Sequence, residues 1–148
     1  MEKELLNTFD KELLLKDLCA RLPYDTVCQV EFKSDGKYES KNMILSGIFK
    51  DEAYFTIENG SVYSNDYKPY LLPLSSMTDK DLIKFLQIKG MNLNSDELKT
   101  FRRGTTVIVS TLPSYSRHID WLNKNHFDYR GLIEKSLAID ATNLGIYE

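Results

Sequence analysis

The sequence predicts an α+β fold, a small antiparallel sheet or SH3-like, partly open barrel with an N-terminal helix and C-terminal helices. Three observations predict it. Apolar residues near the N-terminus recur at three- and four-residue steps, the period of an amphipathic helix. From Cys28 the period falls to two and tight-turn residues recur at short intervals, as in a run of hairpins. Beyond Met77 the helical period returns. With 148 residues a single domain over 1–148 is expected, long enough to hide roughly two-thirds of its unfolded surface without disulfides or metals.

The first helix is expected from about Thr8 to Arg21. Leu6, Phe9, Leu13, Leu14, Leu18, Cys19 and Leu22 form its apolar stripe, with Lys11, Glu12, Lys16 and Asp17 opposite. Pro23 stops it, because its ring disfavours helical geometry in the residue before. Cys28, Val30 and Phe32 then alternate with Gln29 and Glu31 in a half-buried strand. Asp35-Gly36 makes a tight turn into a second strand from about Tyr38 to Phe49, with a break expected near Lys41-Asn42 and a bulge or a close crossing at Gly47. Asp51-Glu52 and Glu58-Asn59-Gly60 set off two more short strands, ending at Ser64.

The segment from Lys68 to Pro73 carries two prolines and is expected to leave the sheet and cover an edge. Thr78 and Asp81 have capping-box spacing at the start of a helix that turns Leu82, Ile83, Phe85 and Leu86 inward and ends at Gly90. A β-branched run at 105–110 predicts another strand. Pro113-Ser114 introduces a helix containing Ile119, Trp121 and Leu122. Asp128 is expected to cap a last helix through Leu137, with Gly131 allowing close packing, and residues 138–147 to run extended.

Composition excludes several functions. A net charge of −3 gives no general attraction to phosphate backbones, so nucleic acid is not an expected partner. No apolar run approaches the ~18 residues of a membrane span. The charged start reads as no secretory leader, Asn59-Gly60-Ser61 then reads as a turn, and Cys19 and Cys28 read as reduced, small hydrophobes. A cytoplasmic location is expected.

Candidate chemistry is sparse. The only two histidines, His118 and His126, stand eight residues apart, too far for an i, i+4 metal pair. They would have to meet around Phe127 with Asp120 or Asp128; capping or partial burial needs less, and neither metal nor cofactor is expected. No serine sits in a nucleophile elbow and no glycine-rich phosphate cradle occurs, so no catalytic residue is assigned. Lys99, Arg102 and Arg103 beside Gly104 could grip an anion, although Asp96 and Glu97 could neutralise them. Tyr129 and Arg130 form a second candidate, with Arg130 either exposed for a ligand or paired with Glu134 at i+4. The candidate ligand-binding residues are thus Arg102, Arg103, Arg130 and Tyr129.

Three segments carry a resemblance: 13–24 (LLLKDLCARLPY), 68–78 (KPYLLPLSSMT) and 120–135 (DWLNKNHFDYRGLIEK). Together they resemble small proteins encoded in phages, prophages and mobile elements of gut Bacteroidales. The resemblance implies a setting, the cytoplasm of a bacterial host, where accessory proteins bind host factors or sequester signalling nucleotides; it implies no catalytic residue. The leading expectation is a non-enzymatic binding protein acting through a protein partner. The alternative is a sponge for a small anionic ligand such as a signalling nucleotide, with an anti-defence role. A hydrolase built from His118, His126 and a carboxylate is the third reading.

Overall fold

In the computed structural model, which describes residues 8–49, 52–57, 60–87 and 116–147, the chain enters through helix α1 (Thr8–Arg21). The helix forms where expected, but its buried face is Leu14, Asp17, Leu18 and Arg21. Phe9 is 84% exposed and Cys19 is exposed, whereas Asp17 is fully enclosed, each the reverse of the sequence expectation. The helix is rotated because Asp17 and Arg21, four residues apart, pair with each other and so can enter the core together. A short 3-10 turn through Pro23 ends at Asp25, and Thr26 Oγ1 donates to the Arg21 carbonyl, 3.2 Å.

An antiparallel meander follows: β1 (Val27–Ser34), β2 (Lys37–Phe49), β3 (Glu52–Ile57) and β4 (Gly60–Ser64). Asp35 and Gly36 both have positive φ, 50° and 80°, the conformation a two-residue hairpin turn of this twist requires. β2 runs unbroken through Lys41-Asn42, because β1 pairs with it over its whole first half. The bulge does fall at Gly47, where the β2–β3 register shifts between Leu45 and Gly47. The extra residue lets both Leu45 and Ile48 turn toward the core. Ser64 Oγ donates to Glu31 O at 2.8 Å and Glu31 N to Asp66 O at 2.9 Å, so the sheet curls toward a partly open barrel.

The proline-bearing segment is β5 (Tyr67–Pro73), an integral strand rather than an edge cover. It exchanges partners along its length: β1 antiparallel at residues 67–69, β7 (Ile139–Asp140) parallel at 70–71, and β6 (Phe127–Asp128) parallel at 72–73. Pro69 falls at the first handover and Pro73 at the strand's end, where a missing N–H costs little. The main path through the sheet is β4-β3-β2-β1-β5-β6.

Two apolar clusters fill the body. One lies between α1 and the inner sheet face, with Leu18, Val30, Leu45, Phe55, Leu71 and Leu132 at its centre. The other joins Met77, helix α2 (Asp79–Gln87), helix α3 (Ser116–Lys124) and Phe127. Thr78 and Asp81 form the expected capping box, each backbone N–H donating to the other's side chain at 3.1 Å. Leu82 and Phe85 point inward as expected, while Ile83 is 39% exposed.

No helix replaces β6. Residues 129–138 form successive turns, with Gly131 and Ser136 at positive φ, and Asp128 accepts the Leu132 and Ile133 N–H groups at 3.0 Å each. Asp128 therefore caps a turn, and Gly131 supplies a left-handed backbone with open space around it rather than close packing. The expected strand at 105–110, the helix end at Gly90 and the basic cluster of Lys99, Arg102 and Arg103 lie outside the described residues. No described helix is long and apolar enough to cross a membrane.

Candidate functional site

Helix α1 sends two charges into the interior. Arg21 Nε donates to Asp17 Oδ2 at 2.7 Å, and Arg21 Nη2 donates to the Phe127 carbonyl at 2.6 Å. Both side chains are fully buried. Arg130 Nε lies 3.2 Å from Asp17 Oδ1, a charge contact without hydrogen-bond alignment. One carboxylate thus stands between two guanidinium groups. Tyr129 completes the cluster: Arg21 and Arg130 place their Cζ atoms 5.3 and 4.9 Å from its ring centroid. Its hydroxyl donates to Asn123 Oδ1 at 3.0 Å and accepts from Arg130 Nη2 at 3.2 Å.

The sequence candidates Tyr129 and Arg130 therefore sit together. Arg130 turns to Asp17 instead of Glu134, because without a helix at 128–137 the i+4 relation no longer brings Glu134 beside it. Its side chain keeps 19% exposure. Arg102 and Arg103 fall outside the described residues, as does the side chain of His118.

His126 occupies a left-handed turn, φ 64°, between α3 and β6. Its carbonyl accepts from Leu72 N at 2.8 Å, which starts the β5–β6 pairing. Its ring stacks on Tyr147, centroids 3.5 Å apart and planes within 7°. The Tyr147 hydroxyl donates to Tyr70 O at 2.7 Å and accepts from Val27 N at 3.1 Å, tying the C-terminal tail to β1 and β5. Burial, and then the nearby Arg21 charge, lowers His126 to about 4. Burial raises the Tyr147 phenol, and burial followed by the Asp17 charge raises the Cys28 thiol. Cys28 is consequently held as a thiol, the unreactive form. Asp120 is exposed, and among the described residues no group of three or more His, Cys, Asp or Glu is placed to hold a metal.

A different surface lies on the outer side of the sheet. The pairing of Tyr54 with Tyr63 brings their rings within 4.8 Å. Gly47, across from Tyr54, leaves room beside that ring: a Cβ there would meet Tyr54 Cβ at 3.7 Å. Ile44 opposes Thr56 one step along, and Ser46 Oγ lies 2.8 Å from Thr56 Oγ1. Tyr63 is 61% and Ile44 41% exposed. Neither Tyr54–Tyr63 nor Asp17–Arg21 was among the sequence candidates. The i, i+4 spacing of Asp17 and Arg21 is visible in the sequence; the aromatic pair needs the register of the β3–β4 hairpin.

With this geometry in hand, comparison with known proteins finds no matching family model, no matching curated protein and no matching solved structure.

The His126 environment sets a pH dependence. Its folded pKa, about 4, lies below its ordinary 6.5, so the unfolded chain binds one more proton between those values. The stabilisation is complete above pH 6.5 and is lost as pH falls toward 4. Its size is on the order of 3 kcal/mol. Urea unfolding between pH 7 and pH 4 should show this loss in the parent and not in His126→Phe, which keeps the ring stack. Equal pH slopes would contradict the assignment.

Proposed function

We propose that this chain is a non-enzymatic binding protein that engages a protein partner through the outer face of β2, β3 and β4, as a phage or mobile-element accessory protein would. The observation that carries the reading is the exposed Tyr63 ring packed on the half-buried Tyr54, beside Ile44 and Gly47. Tyrosines supply large, stiff contact area at small entropic cost, and such residues dominate binding energy where they cluster. The face carries little charge, whereas the interior charges are engaged with one another. A photo-crosslinking residue at position 63, placed in host cells, should give one discrete adduct that excess unmodified protein competes away. Tyr54→Ala should weaken that capture about tenfold while circular dichroism shows an unchanged fold. No adduct, or an adduct indifferent to Tyr54→Ala, contradicts the reading.

A second reading, a small anionic ligand at Arg130 and Tyr129, is favoured by one observation. The Arg130 guanidinium stays partly exposed over the Tyr129 ring, and the neighbouring Arg21 Nη1 has no hydrogen-bond partner among the described residues. A saturating nucleotide panel should then raise the melting temperature by several degrees, and Arg130→Ala should remove the shift. A flat panel rejects it.

A further inference from the structure

β2 has one edge that the rest of the described chain leaves uncovered. β1 pairs with it from Lys37 to Ile44, but β3 pairs only from Ile44 onward. Residues 37–42 are all exposed, and past Glu31 and Ser40, where β1 leaves β5, the hairpin of β1 and β2 stands out as a two-stranded arm. The phase of that edge follows from one bond: Leu45 N donates to Thr26 O on the β1 side, 2.9 Å. In an antiparallel ladder alternate residues turn the same way, so residues 41, 39 and 37 also address β1. Tyr38, Ser40 and Asn42 turn their N–H and C=O groups outward.

Such an edge invites another strand unless charge prevents it. Here the charges select a partner. Two copies of β2 can pair antiparallel with matched donors and acceptors only if the two-fold axis passes through a residue, since any half-step sets an outward residue against an inward one. An axis through Glu39 places glutamate opposite glutamate and Lys37 opposite Lys41; an axis through Lys41 places lysine opposite lysine. An axis through Tyr38 sets Lys37 against Glu39 but pairs only residues 37–39 of the strand. An axis through Ser40 pairs residues 38–42, nearly the whole exposed run of 37–42. It sets each Glu39 opposite the other copy's Lys41, twice over, and Tyr38 opposite Asn42. On that same face Lys41 Nζ lies 5.9 Å from the Phe32 ring centroid.

We infer that residues 38–42 of β2 form the pairing edge for a second copy of this chain, joined antiparallel about a two-fold axis through Ser40. The observations that carry this are the edge left uncovered by the described residues and the placement of Glu39 and Lys41, which this register sets opposite one another in both directions. The two sheets then continue across the axis with like faces on the same side, so both Tyr54–Tyr63 surfaces point one way. The inference does not depend on what those surfaces bind.

Sedimentation of the full chain over a wide concentration range tests it. A reversible monomer–dimer equilibrium is expected. Glu39→Lys and Lys41→Glu, at exposed positions, should each weaken it about tenfold by setting like charges opposite, and the double exchange should restore it. Ser40→Pro removes an outward N–H at the axis without touching the β1 ladder and should leave a folded monomer. A parent that stays monomeric throughout overturns the inference, as does a dimer indifferent to Ser40→Pro or a double exchange no tighter than its singles.

Discussion

The arrangement of α1 against the sheet depends on the Arg21 guanidinium. It is fully buried, bonded to Asp17 on its own helix and to the Phe127 carbonyl on β6. A charge in such a place costs several kcal/mol unless its donors are met with good geometry, so few orientations of the helix are open. The one adopted places Leu14 and Leu18 on the inner sheet face and leaves Phe9 outside. Thr26 anchors to the carbonyl of the same arginine, fixing where β1 begins. A single residue, through its side chain and its carbonyl, thus couples the end of α1, the start of β1 and the chain leaving α3.

The second organising feature is β5, whose successive partners draw three distant parts of the chain together. Its register with β6 places Phe127 against Trp121, ring planes within 10°, and its register with β7 carries the tail back to Tyr147. Tyr147 then bridges β1 and β5 through one hydroxyl while covering His126. These interior hydrogen bonds thus join distant segments. Among the described residues Tyr63 on β4 and residues 37–42 of β2 are exposed.

Much of this order is legible in the sequence, and the exceptions have specific causes. Two-residue alternation locates β1, flanking turn residues locate β3, Asp35-Gly36 marks the hairpin, and Thr78 with Asp81 marks the start of α2, because each is a local effect of a few residues. Gly47 marks the bulge for the same reason. Asp17 is misplaced by periodicity alone, which sorts charge outward and cannot register a partner one turn away, Arg21, that is itself bonded to a carbonyl 106 residues further along. Pro69 and Pro73 argue against a strand locally, but a strand that changes partners has places where a donor is not needed. The turns after Asp128 look helical in spacing until left-handed Gly131 and Ser136 interrupt them. Of the candidate site residues, Tyr129 and Arg130 could be named from sequence; their respective partners in α1, Arg21 and Asp17, could not.

The most direct test of the central role of Arg21 is a double-mutant cycle with Asp17, read by chemical denaturation. Arg21→Met leaves a buried carboxylate short of its partner, and Asp17→Leu leaves two guanidinium groups facing one another. Each single change should cost about 3–5 kcal/mol, and the double variant distinctly less than their sum. Additive losses below about 1 kcal/mol each, the behaviour of an exposed helical pair, would show that the helix is held in place by its leucines alone.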